Sequence, residues 1–192
     1  GRESPAAIYD AAQDVLEEAH SLFANPESPA SKEPLRLVET KIELGCLYRD
    51  RLQLVDKAGN PSKWRAYLGS ALALLEEAET LANERNLAQL KLDAIVNAAW
   101  AHYFAGELAQ AKEAAKHAEE TLWRWIDEEE GGSEKTRRLL EVGHPPPAPA
   151  DHESVVYYQL SKIDHLRGRI AMDSFRARAD EFEKKHPGEE LP

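Results

Sequence analysis

What this chain lacks narrows its function before any motif is read. It has one cysteine, Cys46, in 192 residues. A lone thiol closes no internal disulfide, so the chain reads as a protein of a reducing compartment, the cytoplasm. Cys46 itself reads as a small buried apolar residue. No apolar run approaches the ~20 residues that a membrane-spanning helix needs, so no membrane is expected as a partner. The first residues lack the basic-then-apolar layout of a secretory leader. Gly1 in place of a methionine reads as the cut end of a longer protein. Basic clusters are missing too: 24 Lys and Arg stand against 35 Asp and Glu, a net charge of -11. Such a surface repels a phosphate backbone, so nucleic acid is not an expected partner. β-branched residues never alternate with polar ones over a strand length, so no sheet is expected.

Catalytic sets are equally scarce. The seven histidines are scattered. His102 and His117 fall in one predicted hairpin, with no cysteine or carboxylate placed to complete a metal set. His152-Glu153 lacks the second histidine of a zinc hydrolase motif, and Gly131-Gly132-Ser133-Glu134-Lys135-Thr136 lacks both the glycine before lysine and the strand of a phosphate loop. Glu17-Glu18, Glu76-Glu77 and Glu119-Glu120 recur at similar places in successive helices, which marks a solvated outer face. No nucleophile, base and orienting group stand together. The chain is therefore read as a non-enzyme, with no catalytic residue, no metal ligand and no cofactor.

What is present is helix. The chain is rich in Ala, Leu, Glu, Lys and Arg, which lose little on entering a helix. Capping residues and 3.6-residue periodicity predict six long helices, over residues 5–24, 34–56, 61–83, 86–105, 107–127 and 151–185. Ser4 and Asn60 are caps, and Pro5 and Pro61 suit first helical positions. Asn25-Pro26, Gly59-Asn60-Pro61 and Gly106 are breaks. The tight turn at Gly106 forces the fourth and fifth helices to pack antiparallel. Between 128 and 150 the periodicity fails. That stretch holds an acidic run, Gly131-Gly132, a short possible helix around Arg137 to Glu141 and Pro145-Pro146-Pro147, and is read as a connection. The whole is one domain, with its core at 5–127, the connection at 128–150 and a long last helix.

Alanine and leucine recur through these helices at spacings of 4 and 3. They are Ala12, Leu16 and Ala19 in the first, Ala71, Leu75 and Ala78 in the third, and Ala111, Ala115 and Ala118 in the fifth. Leu44-Gly45-Cys46-Leu47-Tyr48 adds an L-G-x-x-Y core, and Ala98-Ala99 precede Gly106. Over 5–127 the chain resembles tetratricopeptide repeats. The first helix is similar to the second helix of a repeat, helices two and three to a full repeat, and four and five to another. The sixth, with Leu160, Gly168 and Ala171, opens a third. His102 and Ala115 stand where the family has larger aromatics, and the turn after helix two is longer than usual. A finer resemblance, through Leu44 to Asp50 and Trp100-Ala101-His102-Tyr103, is to the repeat regions of bacterial STAND-type signalling ATPases.

The resemblance implies an all-α stack of antiparallel hairpins, a right-handed solenoid whose concave face is lined by the first helix of each repeat. That face would bind a protein or peptide and serve as a scaffold or sensor in signalling. In this register helix two presents Glu39, Ile42, Cys46, Arg49 and Asp50. Helix four presents Asp93, Val96, Asn97, Trp100, Tyr103 and Phe104, and the sixth adds Tyr158, Lys162 and His165. Asn97 is placed to hydrogen-bond an extended peptide. The groove lysines of carboxylate-gripping relatives are absent, apart from Lys41 and Lys91 at poor positions. Trp100, Tyr103 and Phe104 cannot all enter one seam, because each residue turns by about 100°. They either line a groove, as interface aromatics do, or pack on helix two or six. Two other functions remain open: a homodimer through the exposed end of the stack, and a small-molecule sensor with a pocket around Trp100, Tyr103 and His165.

Overall fold

The computed structural model describes residues 4–129 and 152–187. These residues form six α-helices and no strand: α1 (Pro5–Ala24), α2 (Pro34–Arg51), α3 (Pro61–Glu84), α4 (Ala88–Phe104), α5 (Leu108–Glu129) and α6 (His152–Lys185). The fold is all-α, as the helix-favouring composition predicts. The short helix expected around Arg137 to Glu141 and the proline run after it lie outside the described residues.

Local chemistry sets the ends. The Ser4 hydroxyl accepts from the Ala7 amide at 3.3 Å, and the Asn60 side chain accepts from the Lys63 amide at 3.2 Å. Two sharp turns follow one design. After α3, Asn86 adopts a left-handed φ of 55°, and after α4, Gly106 adopts 76°. That conformation reverses the chain, so the Leu87 amide reaches the Ala82 carbonyl at 2.8 Å and the Glu107 amide reaches the His102 carbonyl at 2.9 Å. These bonds satisfy carbonyls the helix ends would leave open. One boundary differs from the sequence expectation. The second helix stops at Arg51 and tightens into a 3₁₀ turn at Leu52–Leu54. The turn lets Leu52 bury itself beside Trp64 and Leu68, which outweighs one more turn of exposed α-helix.

Neighbouring helices run antiparallel. Lys41 meets Glu77 while Arg51 meets Tyr67, so numbers rise along α2 as they fall along α3. Helices α2 and α4 instead lie side by side and parallel. Arg49 with Asn97 and Lys57 with the Ala105 carbonyl are both 48 residues apart. Helix α6 continues that row beside α4, because its contacts keep separations of 66 to 70 residues.

The core lies in the seams between these helices. Ala71, Ala78, Ala82, Ala94, Ala99, Ala101, Ala111, Ala115 and Ala118 are buried almost completely, and Leu75, Leu92, Leu122, Ile126, Ile163 and Leu166 fill the spaces between them. Small side chains let the axes approach to the ~8–10 Å of close helix packing. Helix α1 carries the same spacing, yet its Ala12, Leu16 and Ala19 are only half-buried.

Gly45 marks the tightest approach. A Cβ there would sit 2.7 Å from Cγ of the buried Leu75. Gly69, also within a helix, has open space at the same position. The substitution Gly45→Ala is predicted to lose about 1–2 kcal/mol in urea melts, overpacking outweighing the ~1 kcal/mol helix gain. Gly69→Ala keeps only the gain and should melt higher than the parent. Equal melting of the two variants would contradict this packing.

Candidate interaction face on helices α2, α4 and α6

The three parallel helices share one face, and a polar chain crosses it. Asp93 on α4 accepts from the Lys162 ammonium of α6 at 2.6 Å and from the Gln159 amide at 3.0 Å. One turn on, the Asn97 amide nitrogen donates to the Asp93 backbone carbonyl at 2.8 Å. The Asn97 side-chain oxygen accepts from the Arg49 guanidinium of α2. Arg49 also pairs with Asp50 at 2.6 Å. Each cation on this path thus has a carboxylate beside it, and both ends of the Asn97 amide are engaged within the protein. Gln159 is fully buried, and its side-chain oxygen meets no donor. Leaving such an atom unpaired costs about 1–3 kcal/mol.

Aromatic rings flank that chain. The Trp100 ring lies 5.5 Å from His165, 5.4 Å from Phe104 and 5.4 Å edge-on from Tyr103. Trp100 and Phe104 are half-buried, whereas His165 and Tyr158 are exposed. The Lys162 ammonium stands 5.1 Å from the Tyr158 ring centre, within the range of cation–π attraction.

Tyr103 is different. It is 9% exposed and packs among Ala99, Ala111, Ala115, Leu166 and Ile170. Its hydroxyl donates to Asp173 at 2.5 Å and accepts from Arg169 at 3.2 Å. Burial, then the Asp173 bond, hold the hydroxyl's pKa above its ordinary value. The same hydrogen bond, first among its causes, holds the Asp173 carboxyl below its own. Tyr103 therefore joins α4 to α5 and α6 from beneath the face.

The structure brings Trp100, Phe104, Lys162 and His165 together, with Asn97 and Arg49 adjoining them and Asp50 and Tyr158 at the margins. Three residues assigned to the face from sequence belong to the core: Ile42 is packed with Val38, Leu75 and Ala78, Val96 with Leu92 and Leu122, and Tyr103 with Ala99, Ala111 and Leu166. Their positions fall on the side of the helix turned towards α3 and α5. Sequence reasoning passed over Gln159, Arg169 and Asp173. Gln159 had a signal, being a polar residue in line with the apolar positions Ile163, Leu166 and Ile170. Arg169 and Asp173 are one helical turn apart and carried no signal without Tyr103 in place.

Burial pushes the Cys46 thiol up to about 11, so it stays protonated near neutral pH and is a poor nucleophile. His102 pairs with Glu107 at 2.8 Å and His117 with Glu79 at 3.2 Å, so the two histidines are held apart. Among the described residues, no three His, Cys, Asp or Glu side chains are grouped to hold a metal ion. Lys41 is buried against Glu77 at 2.5 Å and does not reach the face. Among the same residues, no helix is long and apolar enough to cross a membrane. No family model, curated protein or solved structure matches the chain.

The burial of Tyr103 has a measurable consequence. Tyr103→Ala is predicted to cost about 3 kcal/mol or more in thermal or urea unfolding, the price of a large core cavity. Tyr103→Phe removes the hydroxyl alone and should cost about 1 kcal/mol. A Tyr103→Ala variant that melts like the parent would contradict the core placement.

Proposed function

We propose that this chain is a tetratricopeptide-type repeat module that binds a segment of another protein across the face of α2, α4 and α6. The observation that carries the reading is the partly open ring cluster of Trp100, Phe104 and His165, with Tyr158 exposed nearby. Interface anchors are aromatic far more often than the rest of a surface is. The Ala-rich 4 and 3 spacing supports the repeat assignment.

Charge on the face favours a particular kind of partner. Arg49 and Lys162 lie against Asp50 and Asp93, so the face offers no free cationic pair for a carboxylate or phosphate. The partner contributes an apolar or aromatic side chain that stacks beside Trp100, and the polar chain sets register at the rim. The pairing of His102 with Glu107 and of His117 with Glu79, and the protonated Cys46, favour binding without turnover. In this reading the chain is a scaffold or sensor arm of a larger bacterial signalling protein of the cytoplasm, akin to the repeat arms of STAND-type ATPases.

Peptides selected from a display library against the full chain provide the test. Titration calorimetry should show their affinity falling about tenfold or more with Tyr158→Ala or His165→Ala, a loss on the scale of ~1.4 kcal/mol or above. Arg65→Ala, on the exposed side of α3, should leave affinity unchanged. Binders indifferent to both face variants would contradict the assignment.

A further inference from the structure

The two ends of the helix row are each half of something. Helices α3 and α5 bury their alanine seams completely, with Ala71, Ala78, Ala82, Ala111 and Ala118 all at 0% exposure. Each of these helices is packed between two helices of the α2, α4, α6 row: α3 between α2 and α4, α5 between α4 and α6. Helix α1 has the same seam but packs on α2 alone of that row. Its second apolar side, Ile8, Val15 and Leu22, recurs every seven residues and is open to solvent, Val15 at 66% exposure. Among the described residues, no helix of the row covers that side.

Helix α6 is the converse. Ile163, Leu166 and Ile170 bury one side against α4 and α5. The opposite side carries Gly168, Met172, Phe175, Ala179 and Phe182 at spacings of 4 and 3. Phe175 is 57% exposed and Met172 52%. In α2 and α4 the corresponding side is covered by the following antiparallel helix, α3 or α5. Nothing among the described residues covers it in α6.

Charge and length say what does. Helix α1 has no lysine or arginine; of its acidic residues, Asp14 and Glu18 flank the apolar stripe, while Asp10 pairs with Arg51 and Glu17 accepts from Tyr48 on the side facing α2. Beside the bare side of α6, a cleft of 430 Å³ between α5 and α6 is lined by Lys112, Lys116, Arg167 and Arg178, with Glu113 and Glu119; Arg167 pairs with Glu119 and Lys116 with Glu120, which leaves Lys112 and Arg178 to meet a further carboxylate. An acidic helix with an apolar stripe meets a basic cleft beside an apolar stripe, in a chain whose net charge is -11. The 20 residues of α1 span about 30 Å, and the stretch of α6 from Gly168 to Lys185 about 27 Å.

We infer that copies of this chain associate head to tail, α1 of one copy packing antiparallel on the outer side of α6 of the next. The contact completes at the junction the hairpin that α2 and α3, and α4 and α5, form within each copy. Each copy uses two different surfaces, so the interface is heterologous and does not close at a dimer. Salt screens the charge component and weakens the assembly. This inference is independent of what the α2, α4, α6 face binds.

Sedimentation equilibrium of the full chain tests it, with Val15→Glu and Phe175→Glu as the two single-surface variants. The parent's average mass should rise past that of a dimer with concentration, and less steeply in high salt. Each variant alone should remain a monomer. Mixed in equal amounts, they should form a dimer and stop there, because one sound α1 and one sound α6 remain to pair. Far-ultraviolet circular dichroism confirms that each variant is folded, and Ile8→Glu with Met172→Glu provides a second pair. A parent that stays monomeric to millimolar concentration overturns the inference. So does a single variant that assembles like the parent, or a mixture that stays monomeric.

Discussion

Two helices can approach closely only where their side chains nearly vanish, and everything else in this protein follows from that. Alanines at spacings of 4 and 3 strip one flank of α5 down to a methyl surface, and in α3 Ala71 and Ala78 flank Leu75, which presses in where α2 has Gly45. The gain is dispersion and apolar burial over a long seam, at roughly 25 cal/mol per Å² removed from water. The cost is that no seam can absorb an added group. Larger residues, Leu75, Leu92, Leu122 and Ile163, sit between the seams and set how far each helix is rotated.

Close seams between antiparallel neighbours have a second effect. They bring every other helix into a parallel row, so that α2, α4 and α6 present their sides to one another. Arg49, Asn97, Asp93 and Lys162 then fall in line, although they are far apart in sequence. The ion pairs on this path are partly solvent-exposed and contribute modestly, about 0–1 kcal/mol each by general experience. They form across helices whose rotation the packing sets, and in that rotation Trp100 lies 5.5 Å from His165. The ring cluster is thus a product of the packing beneath it, with Tyr103 as the post that supports it.

Much of the fold was legible in the sequence because it is written in local signals. Proline and cap residues marked the starts of α1 and α3, and Gly106 marked the sharp turn after α4, whereas the left-handed turn at Asn86 was read only as the start of a helix. The alanine spacing marked the buried seams. The end of α2 was misplaced because Leu52 gains its burial from Trp64, a contact that helical periodicity does not report. The face was legible in part. Periodicity put Trp100, Phe104, Lys162 and His165 on one side, but it gave no means of ranking depth. Ile42, Val96 and Tyr103 were therefore placed on the face although they are core, packing having been the other role weighed for Tyr103. Gln159 and Asp173 were missed because their significance depends on partners about seventy residues away, at Asp93 and Tyr103.

The central claim is that a helix here is stable in proportion to how many of its sides are packed. Amide hydrogen exchange across the full chain, at a concentration where it is monomeric, tests this most directly. Helices α3, α4 and α5 are packed on both flanks, so their central amides should exchange only through global opening. Amides of α1 and of α6 beyond Ser174 should exchange orders of magnitude faster, through local opening. Protection of α1 equal to that of α3 would contradict the account.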